Sequence, residues 1–487
     1  MQRSCKAAFL LRGEGMNAQI LGGLFFLAFL PTSLLAQEQR RLNVLFVVSD
    51  DLRAELTCYG GKAKTPNLDA LAASGVRFDR AYCQYPLCNP SRTSMLTGRH
   101  PVTTGVLGNR TDFRDDHPDW ITLPQFLREN GYVSLRAGKI FHGAGLDDPK
   151  AWSDIGPRDR AAGDEDDPRA PATARAAATQ MTRAQYSDRI VILEGEGETH
   201  GDYRTADRTI AYLRQHKDKP FFIACGFVKP HSPPTAPRKF FDLYPLEQID
   251  LPPDFTPRPT VWDDFPKRSI RPRNADLFIG REATPESAKE MIRAYLASIS
   301  WMDWNVGRVL KELDALGLRK NTVIVFWGDH GYQLGEKGKW SKAGSVWEKG
   351  TRVPLLIVAP DAKGNGKVSP RVVESVDLFP TLVELCGLSP PPGLEGRSLV
   401  PLLQDPQRDW NHPAFSVWSE DGKTLTHVAV RNERFRYAQF DVGASGEMLI
   451  DLENDPHELK NVASDPRFAK QKAELAAQVR AYAARFE

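Results

Sequence analysis

The chain has 487 residues, more than a single hydrophobic core usually holds, so we expect one large domain and one smaller one. Its 64 basic residues nearly balance its 62 acidic residues, which leaves a formal net charge of +2. That balance argues against a nucleic-acid-binding protein and against a polybasic membrane binder, so an anionic ligand would have to be attracted by a local cluster of cations.

The N-terminal segment has the pattern of a signal peptide, which we place at residues 1–36. Basic residues precede an apolar run at 20–30, and small residues lead to Ala36 before the sequence becomes polar. The run is too short to span a bilayer and no other segment is long enough, which disfavours an uncleaved membrane anchor. We therefore expect an exported protein, periplasmic or secreted, that starts at Met1 or Met16 and has no membrane span after cleavage.

Six cysteines are present, and Cys5 would leave with the signal peptide. The remaining five are an odd number without Cys-x-x-Cys spacing, which argues against a zinc site and against a dense disulfide framework. One or two disulfides stay open in an oxidising compartment, and the sequence does not pair them.

The first strong element is the apolar run at 42–49, which is followed by Asp50 and Asp51. Such a run predicts a strand buried on both faces, as in the parallel sheet of an α/β fold. Ligand sites of these sheets lie beyond the carboxyl ends of the strands. Adjacent aspartates repel each other, so a site that holds both needs a cation, and their oxygens favour Ca²⁺ or Mg²⁺. The alternative is a solvated turn.

After a helix predicted at 65–75, residues 88–92 read Cys-Asn-Pro-Ser-Arg. Asn89 fits an N-cap, Pro90 fits the first helical position and Gly98 ends the helix. Cys88 would then lie at the positive end of the helix dipole, where Arg92 adds a fixed cation, so negative charge beside the sulfur would be stabilised. The alternative is that Cys88 is one more small apolar side chain.

Further along, a helix at 123–130 and a strand at 132–135 lead to Lys139 and His142, which are close enough in sequence to contact one ligand. The polar stretch at 144–201 predicts a long surface insertion. A helix at 205–215 then precedes a buried strand at 221–227, whose carboxyl end carries His231. A lysine or histidine at such positions is more often solvated or structural than catalytic.

An apolar stripe from Met291 to Leu313 predicts a long helix packed on the sheet. The strand that follows, at 321–327, ends in Asp329 and His330 in the way that the first strand ends in two aspartates. Three lysines on the next glycine-containing loop suit an anion pocket: Lys337, Lys339 and Lys342. A strand at 353–359 and a helix at 377–386 complete the large unit.

A proline-rich break at 389–393 separates this unit from a smaller one that has begun by about residue 411. Four short strands and a terminal helix at 467–486 predict an antiparallel sheet covered by one helix. We therefore divide the chain into a signal peptide (1–36), a catalytic domain (37–410) and a C-terminal subdomain (411–487).

The Cys-Asn-Pro-Ser-Arg motif, followed by Leu-Thr-Gly-Arg at 96–99, resembles the signature of type I sulfatases, in which the cysteine is oxidised to formylglycine. From about residue 42 to its end the chain resembles sulfatases of the alkaline-phosphatase-like superfamily. The iduronate-2-sulfatase branch is the most similar one, through the stretches at 138–142, 229–231, 329–331 and 340–342. His330 supports that branch because many other sulfatases carry Asn there, whereas Asn89 and Val228 depart from its usual residues.

The resemblance implies an α/β/α sandwich with a smaller antiparallel C-terminal subdomain. It implies one Ca²⁺ per chain, held by Asp50, Asp51, Cys88, Asp329 and His330, and a catalytic set of Cys88, Arg92, Lys139, His142, His231 and Lys342. In this scheme the hydrated formylglycine attacks sulfur, the cations neutralise the sulfate oxygens, and His142 or His231 protonates the leaving alcohol.

The implied partners are a sulfated sugar or polysaccharide as substrate and a formylglycine-generating or sulfatase-maturing enzyme, with no nucleic acid. Two alternatives stay open at this stage. One is a phosphatase or phosphonate monoester hydrolase of the same superfamily, and the other is a non-catalytic binder of sulfated glycans in which Cys88 is unmodified.

Overall fold

The computed structural model describes residues 41–143, 145–153 and 181–486. The predicted signal peptide and the middle of the predicted insertion lie outside these residues. From residue 41 onward the chain forms one compact unit. Among the described helices, none combines the length and the apolar character needed to cross a membrane. The five described cysteines are all unpaired.

One large sheet contains eight strands. They are β1 (Asn43–Ser49), β2 (Val76–Tyr82), β3 (Val133–Gly138), β5 (Phe221–Phe227), β7 (Thr322–Gly328), β8 (Arg352–Val353), β9 (Leu355–Val358) and β10 (Val368–Glu374). Their order is β10-β2-β9-β7-β1-β5-β3, with β8 beside β2. Strands β7, β1, β5 and β3 are parallel, whereas β9 runs antiparallel to β7 and β2. The sheet is therefore mixed, not purely parallel as the buried runs suggested.

Helices cover both faces of this sheet, so the large unit has three layers and the expected α/β/α sandwich is confirmed. Side chains along β1 alternate between the two faces of the sheet. Leu45 and Val47 belong to one core cluster, and Val44, Phe46 and Val48 belong to the other. The first cluster includes side chains of α1 (Pro66–Ser74), α7 (Gly201–His216) and α9 (Pro285–Ala315). The second includes side chains of α2 (Cys88–Thr97), α5 (Leu123–Glu129) and α11 (Leu378–Leu385).

Shorter elements connect these layers. They are α3 (Pro101–Thr104), α4 (Phe113–Asp116), α6 (Arg183–Ser187), β4 (Val191–Leu193), β6 (Thr235–Pro237), α8 (Arg238–Phe241), α10 (Glu348–Thr351) and α12 (Val400–Gln404). Strands β4 and β6 pair as a separate two-stranded sheet.

The C-terminal region forms a separate antiparallel sheet, as predicted. Its strands are β11 (Ala414–Trp418), β12 (His427–Arg431), β13 (Phe435–Phe440) and β14 (Glu447–Asp451), in that order. Helix α13 (Ala469–Ala483) contributes Leu475 and Val479 to the core cluster that contains the apolar side chains of this sheet.

Helix α2 begins earlier than the sequence suggested. Its first residue is Cys88 and its N-cap is Leu87, so Asn89 is not the cap and Pro90 is not the first helical residue. The side-chain amide nitrogen of Asn89 instead donates to the carbonyls of Gly108 and Thr111. Gly98 ends the helix with φ of 66°, as expected.

Candidate active site

Three neighbouring strands deliver polar residues to one edge of the large sheet. Ser49, the last residue of β1, is in register with Phe227 of β5 and Gly328 of β7. Residues that follow these three strands therefore meet beyond their carboxyl ends, where α/β folds hold their ligands. The edge carries Asp50, Asp51, Lys229, His231, Asp329 and His330.

The carboxylates and His330 form a buried cluster. One ligand atom from each of Asp50, Asp51, Cys88 and His330 lies within 4.8 Å of the others, and all four residues are buried. Nε2 of His330 lies 3.4 Å from Oδ1 of Asp51 and 3.5 Å from Oδ2 of Asp329. Burial, and then the charge of Asp50, raise the pKa of Asp329 to about 6.

This cluster fits a cation. Nδ1 of His330 lies 3.0 Å from the carbonyl oxygen of Gly331, which can only accept, so in the neutral imidazole Nδ1 is the donor and Nε2 is left as an acceptor. That acceptor faces carboxylate oxygens, which repel it unless a positive charge lies between them. Three carboxylates and one imidazole, with the tautomer fixed by a backbone carbonyl, suit a divalent metal.

Cys88 lies inside the same cluster. Its Sγ atom is 3.3 Å from Oδ1 of Asp50 and 3.3 Å from Nε2 of His330, and the residue is 1% exposed. Burial, and then the charge of Asp50, raise the pKa of the Cys88 thiol. The free amide groups of the first turn of α2 point towards this end of the helix and favour negative charge there.

Arg92, one turn further along α2, is fully buried. Its Nε atom donates to Oδ2 of Asp329 at 2.9 Å, and one terminal nitrogen donates to the carbonyls of Lys139 and Ile140. The other terminal nitrogen makes no hydrogen bond within the described residues and lies 3.7 Å from Oδ1 of Asp50. Arg92 thus links the loop after β3 to Asp329 and keeps one terminal nitrogen near Asp50.

Two lysines neutralise the paired aspartates. Nζ of Lys139 donates to Oδ2 of Asp50, and Nζ of Lys342 lies 2.8 Å and 2.9 Å from the two carboxylate oxygens of Asp51. Burial alone would raise the pKa of Asp50, but the charges of Lys139 and Arg92 outweigh it and hold that pKa well below its usual range. Both ammonium groups therefore lie against the cluster.

Two histidines complete the edge. Nε2 of His231 lies 4.0 Å from Oδ2 of Asp51, its side chain is 29% exposed, and its Nδ1 contacts the carbonyl of Ser232 at 2.8 Å. His142 is also only partly buried, and its Nδ1 has no hydrogen-bond partner within the described residues. Burial and the neighbouring lysines lower the pKa of His231 to about 3 and that of His142 to about 2, so both rings are neutral at pH 7.

All ten residues proposed from the sequence belong to this constellation, whereas two other lysines of the same loop do not. Nζ of Lys337 pairs with Asp254 at 2.7 Å, and Nζ of Lys339 donates to the carbonyl of Arg273 at 3.1 Å. Of the three loop lysines, only Lys342 reaches the cluster.

Sequence reasoning missed several residues that hold the site in place. The ammonium of Lys229 donates to the carbonyls of His231 and Pro233, and the hydroxyl of Tyr295 donates to the carbonyl of Asp51 at 2.6 Å. Oδ1 of Asp276 lies 3.6 Å from Nζ of Lys342. The Lys-Pro-His triplet gave a signal for Lys229, but nothing local distinguishes Tyr295 or Asp276.

Comparison with known proteins decides the family. The sequence profile of the family described as Sulfatase matches residues 42–388, and a profile described as N-sulphoglucosamine sulphohydrolase, C-terminal, matches residues 335–485. The chain belongs to the sulfatase family. It is a sulfuric ester hydrolase, which favours the main interpretation over a phosphatase and over a non-catalytic binder.

Curated relatives agree along nearly the whole length of this sulfatase. A sulfatase of Formosa agariphila is 34% identical over 446 residues, which cover 89% of this chain and 85% of the relative. Iduronate 2-sulfatase of Homo sapiens is 33% identical over 512 residues, with 87% and 90% coverage. Among solved structures, a phosphonate monoester hydrolase from Silicibacter pomeroyi has a TM-score of 0.71 at 24% identity, with 92% and 96% coverage, which supports the fold alone.

Proposed function

We propose that this sulfatase removes sulfate from a sulfated sugar or polysaccharide, with a formylglycine made from Cys88 as its reactive group and one Ca²⁺ as its metal. The observation that carries the proposal is the position of Cys88. Its Sγ atom lies 3.3 Å from both Asp50 and His330, at the first residue of a helix and in the middle of a cluster that fits a cation.

Formylglycine supplies an oxygen nucleophile as an aldehyde hydrate, and its second hydroxyl lets sulfate leave so that the aldehyde returns. An unmodified thiol fits this position less well, because a soft sulfur is a poor ligand for a hard metal. The N-terminus of α2 favours the negative charge that the sulfate group brings.

Calcium is supported by the chemistry of the ligands. Asp50, Asp51 and Asp329 supply oxygen atoms and His330 supplies Nε2, and hard oxygen ligands suit Ca²⁺ or Mg²⁺. Ca²⁺ accepts six to eight ligands in a flexible arrangement, which suits residues that come from two strand ends and one helix. A divalent ion supplies Lewis-acid stabilisation of the sulfate oxygens.

The charges of the side chains themselves cancel. Three carboxylates face three cations, Arg92, Lys139 and Lys342, so a divalent metal makes the site positive. A sulfate monoester, which carries one negative charge, is therefore attracted to it. Lys139 contacts Asp50 and Lys342 contacts Asp51, so the two ammonium groups are suited to contact different sulfate oxygens.

The leaving alcohol needs a proton. His142 and His231 are the two candidates, because both are partly buried histidines beside the carboxylates and cations of the site. Both rings start neutral, since burial and lysine charges lower the pKa of each. A bound sulfate adds negative charge beside the ring and raises the pKa of the histidine, so protonation is coupled to substrate binding.

The sugar is proposed from the relatives. Iduronate 2-sulfatase shares 33% identity with this chain, and the His330 position and the Lys-Pro-His triplet at 229–231 belong to the same resemblance. A sulfated uronate sugar is therefore the first substrate to test. We also propose export to the periplasm or beyond, modification of Cys88 by a maturation enzyme, and division of the chain near residue 411.

Two measurements test the proposal. The first is tandem mass spectrometry of the tryptic peptide 81–92 from a host that modifies sulfatases, which must assign the change to Cys88 and not to Cys83 in the same peptide. The second is turnover of an aryl sulfate against the matching aryl phosphate. An aldehyde at Cys88 with sulfate preferred supports the proposal, whereas an intact thiol in active enzyme overturns it.

A further inference from the structure

A cavity of about 260 Å³ lies apart from the residues of the catalytic constellation. We call it the rear cavity, and residues 333–337 of the loop between His330 and Lys342 line part of it. Its lining combines charged, amide and apolar side chains. Its walls come from distant parts of the chain, which is typical of a ligand pocket.

Two acceptors in the wall have no partner. Oδ1 of Asp254 and Oε1 of Gln333 are buried and make no hydrogen bond within the described residues. The two residues are 3% and 2% exposed. A buried acceptor without a donor costs about 1–3 kcal/mol. Two of them in one cavity therefore favour a ligand that can donate two hydrogen bonds.

One cation in the wall makes no direct contact with a carboxylate. Arg53 pairs with Glu55 and Glu336, and Lys337 pairs with Asp254. The ammonium of Lys349 makes no hydrogen bond or ion pair with any residue in the described part of the chain. Repulsion from Arg53, together with burial, lowers the pKa of Lys349. Glu336 and Glu55 offset part of that repulsion without contacting the ammonium, and an anionic group in direct contact with Lys349 would offset the rest.

The remaining wall is apolar. Leu251, Ile292, Leu296, Leu334 and Trp347 supply hydrocarbon and aromatic surface between the polar groups. The volume is below the 300–1,000 Å³ typical of pockets for drug-sized ligands, so the rear cavity suits a single ring. Sugar rings match such a wall, because they present C–H faces together with hydroxyl donors.

We propose that the rear cavity is a second binding site, for a sugar acid of one ring. Its carboxylate pairs with Lys349, and two hydroxyls donate to Oδ1 of Asp254 and Oε1 of Gln333. Inorganic sulfate has no donor for the two acceptors, and a neutral sugar has no anion for Lys349. The site does not depend on the chemistry of Cys88, so it stands or falls separately from the proposed function.

Two segments of the chain line the rear cavity and also reach the active site. Ile292 and Leu296 flank Tyr295 on α9, and the hydroxyl of Tyr295 donates to the carbonyl of Asp51. Gln333 and Leu334 follow His330 on the same loop. An occupant would therefore contact the two segments that carry the metal cluster.

Isothermal titration calorimetry of the mature protein, without its signal peptide, with D-glucuronate tests this site. We expect one molecule to bind per chain, and D-glucose and sodium sulfate to bind at least tenfold more weakly. Lys349→Met should weaken D-glucuronate binding at least tenfold and leave aryl sulfate turnover unchanged. Leu251→Trp, at the partly exposed rim, should block the cavity without touching its buried ion pairs.

The matched control is Lys342→Met, which removes a cation from the active site instead of the rear cavity. Binding of D-glucuronate should persist in this variant. Loss of binding in Lys342→Met, with retention in Lys349→Met and Leu251→Trp, would place the sugar acid in the active site and overturn the proposal. Absence of binding to the wild-type protein at millimolar D-glucuronate would overturn the proposal as well.

Discussion

The Sγ atom of Cys88 lies 3.3 Å from Nε2 of His330, although 242 positions separate the two residues. The contact joins the first turn of α2 to the carboxyl end of β7, and it places the sulfur among the carboxylates of the metal cluster. Chemistry at this sulfur and binding at the cluster are therefore properties of one site.

Replacement of Cys88 should abolish turnover while the fold stays intact. Cys88→Ala removes the reactive group, and Cys88→Ser supplies a hydroxyl but no second oxygen to expel sulfate. We expect kcat/KM to fall by about 10³-fold or more in both variants, as for loss of other nucleophiles. Steady-state turnover of an aryl sulfate measures this, with Cys83→Ala, a second buried cysteine nearby, as the control that should retain activity.

Removal of the metal should inactivate and destabilise the enzyme. Asp50, Asp51 and Asp329 crowd Nε2 of His330, and without a divalent ion their repulsion is only partly offset by the cations around them. At Ca²⁺ 100-fold above its Kd we expect about 2.7 kcal/mol of added stability. Thermal unfolding with chelator or Ca²⁺ measures the effect, and the unfolding of Asp50→Asn should respond little to Ca²⁺. Full activity in excess chelator would refute the assignment.

Lys229 should act as a positioning residue for His231. Its ammonium is 2.8 Å from the carbonyl of His231 and 2.7 Å from that of Pro233, and the residue is 2% exposed. Lys229→Met leaves both carbonyls without this donor, at about 1–3 kcal/mol each. We expect kcat to fall about tenfold, with KM changing less. Lys150→Met, which removes an exposed lysine that donates to the carbonyl of Pro118, is the control, and equal effects in both variants would argue against the role.

Glu348 should make stability depend on acid pH. Burial alone would raise its pKa, but Arg431 and Arg436, at 3.4 Å and 2.5 Å, outweigh it and hold the pKa of Glu348 below its usual range. Because the pKa of Glu348 is lower in the folded state than in the unfolded state, its ion pairs with Arg431 and Arg436 stabilise the fold above the unfolded pKa of about 4.3. That stabilisation is lost as the pH falls below this value.

Glu348→Gln should therefore lower the unfolding free energy by about 3 kcal/mol at pH 7, because it leaves the buried Arg431 without a carboxylate and leaves Arg436 with Glu458 alone. The difference in unfolding free energy between this variant and the wild-type protein should shrink below pH 4. Urea unfolding at several pH values measures it, and Glu433→Gln, from an exposed pair with Arg371, should change stability by less than about 0.5 kcal/mol. A difference that stays constant with pH would contradict this explanation.

Much of the site could be predicted because it lies at strand ends. The apolar runs that became β1, β5 and β7 are visible in the sequence, and the polar residues directly after them had to meet at one edge. Strands β2 and β10 were missed because their partly exposed residues are polar, as in Val-Arg-Phe-Asp-Arg for the start of β2, so neither gives a continuous apolar run.

The features that the sequence did not predict depend on contacts between residues far apart in the chain. Asn89 has the local character of an N-cap, but carbonyls of Gly108 and Thr111 satisfy its amide, and the helix begins at Cys88. Tyr295 and Lys349 carry no local signal either, because their surroundings come from segments far along the chain. Local propensity cannot anticipate such partners.

The burial of Cys88 would set a time limit on the oxidation that we propose for it. A sulfur that is 1% exposed, and that lies against residues from β1 and β7, is out of reach of another protein's active site once these strands are assembled. An enzyme that oxidises Cys88 must therefore act on the nascent or unfolded chain, before residues 322–330 have paired with β1. The order of synthesis favours this sequence of events, since more than 200 residues lie between Cys88 and β7 and are made before that strand. Folding that outruns the oxidation would trap an intact but permanently inactive protein.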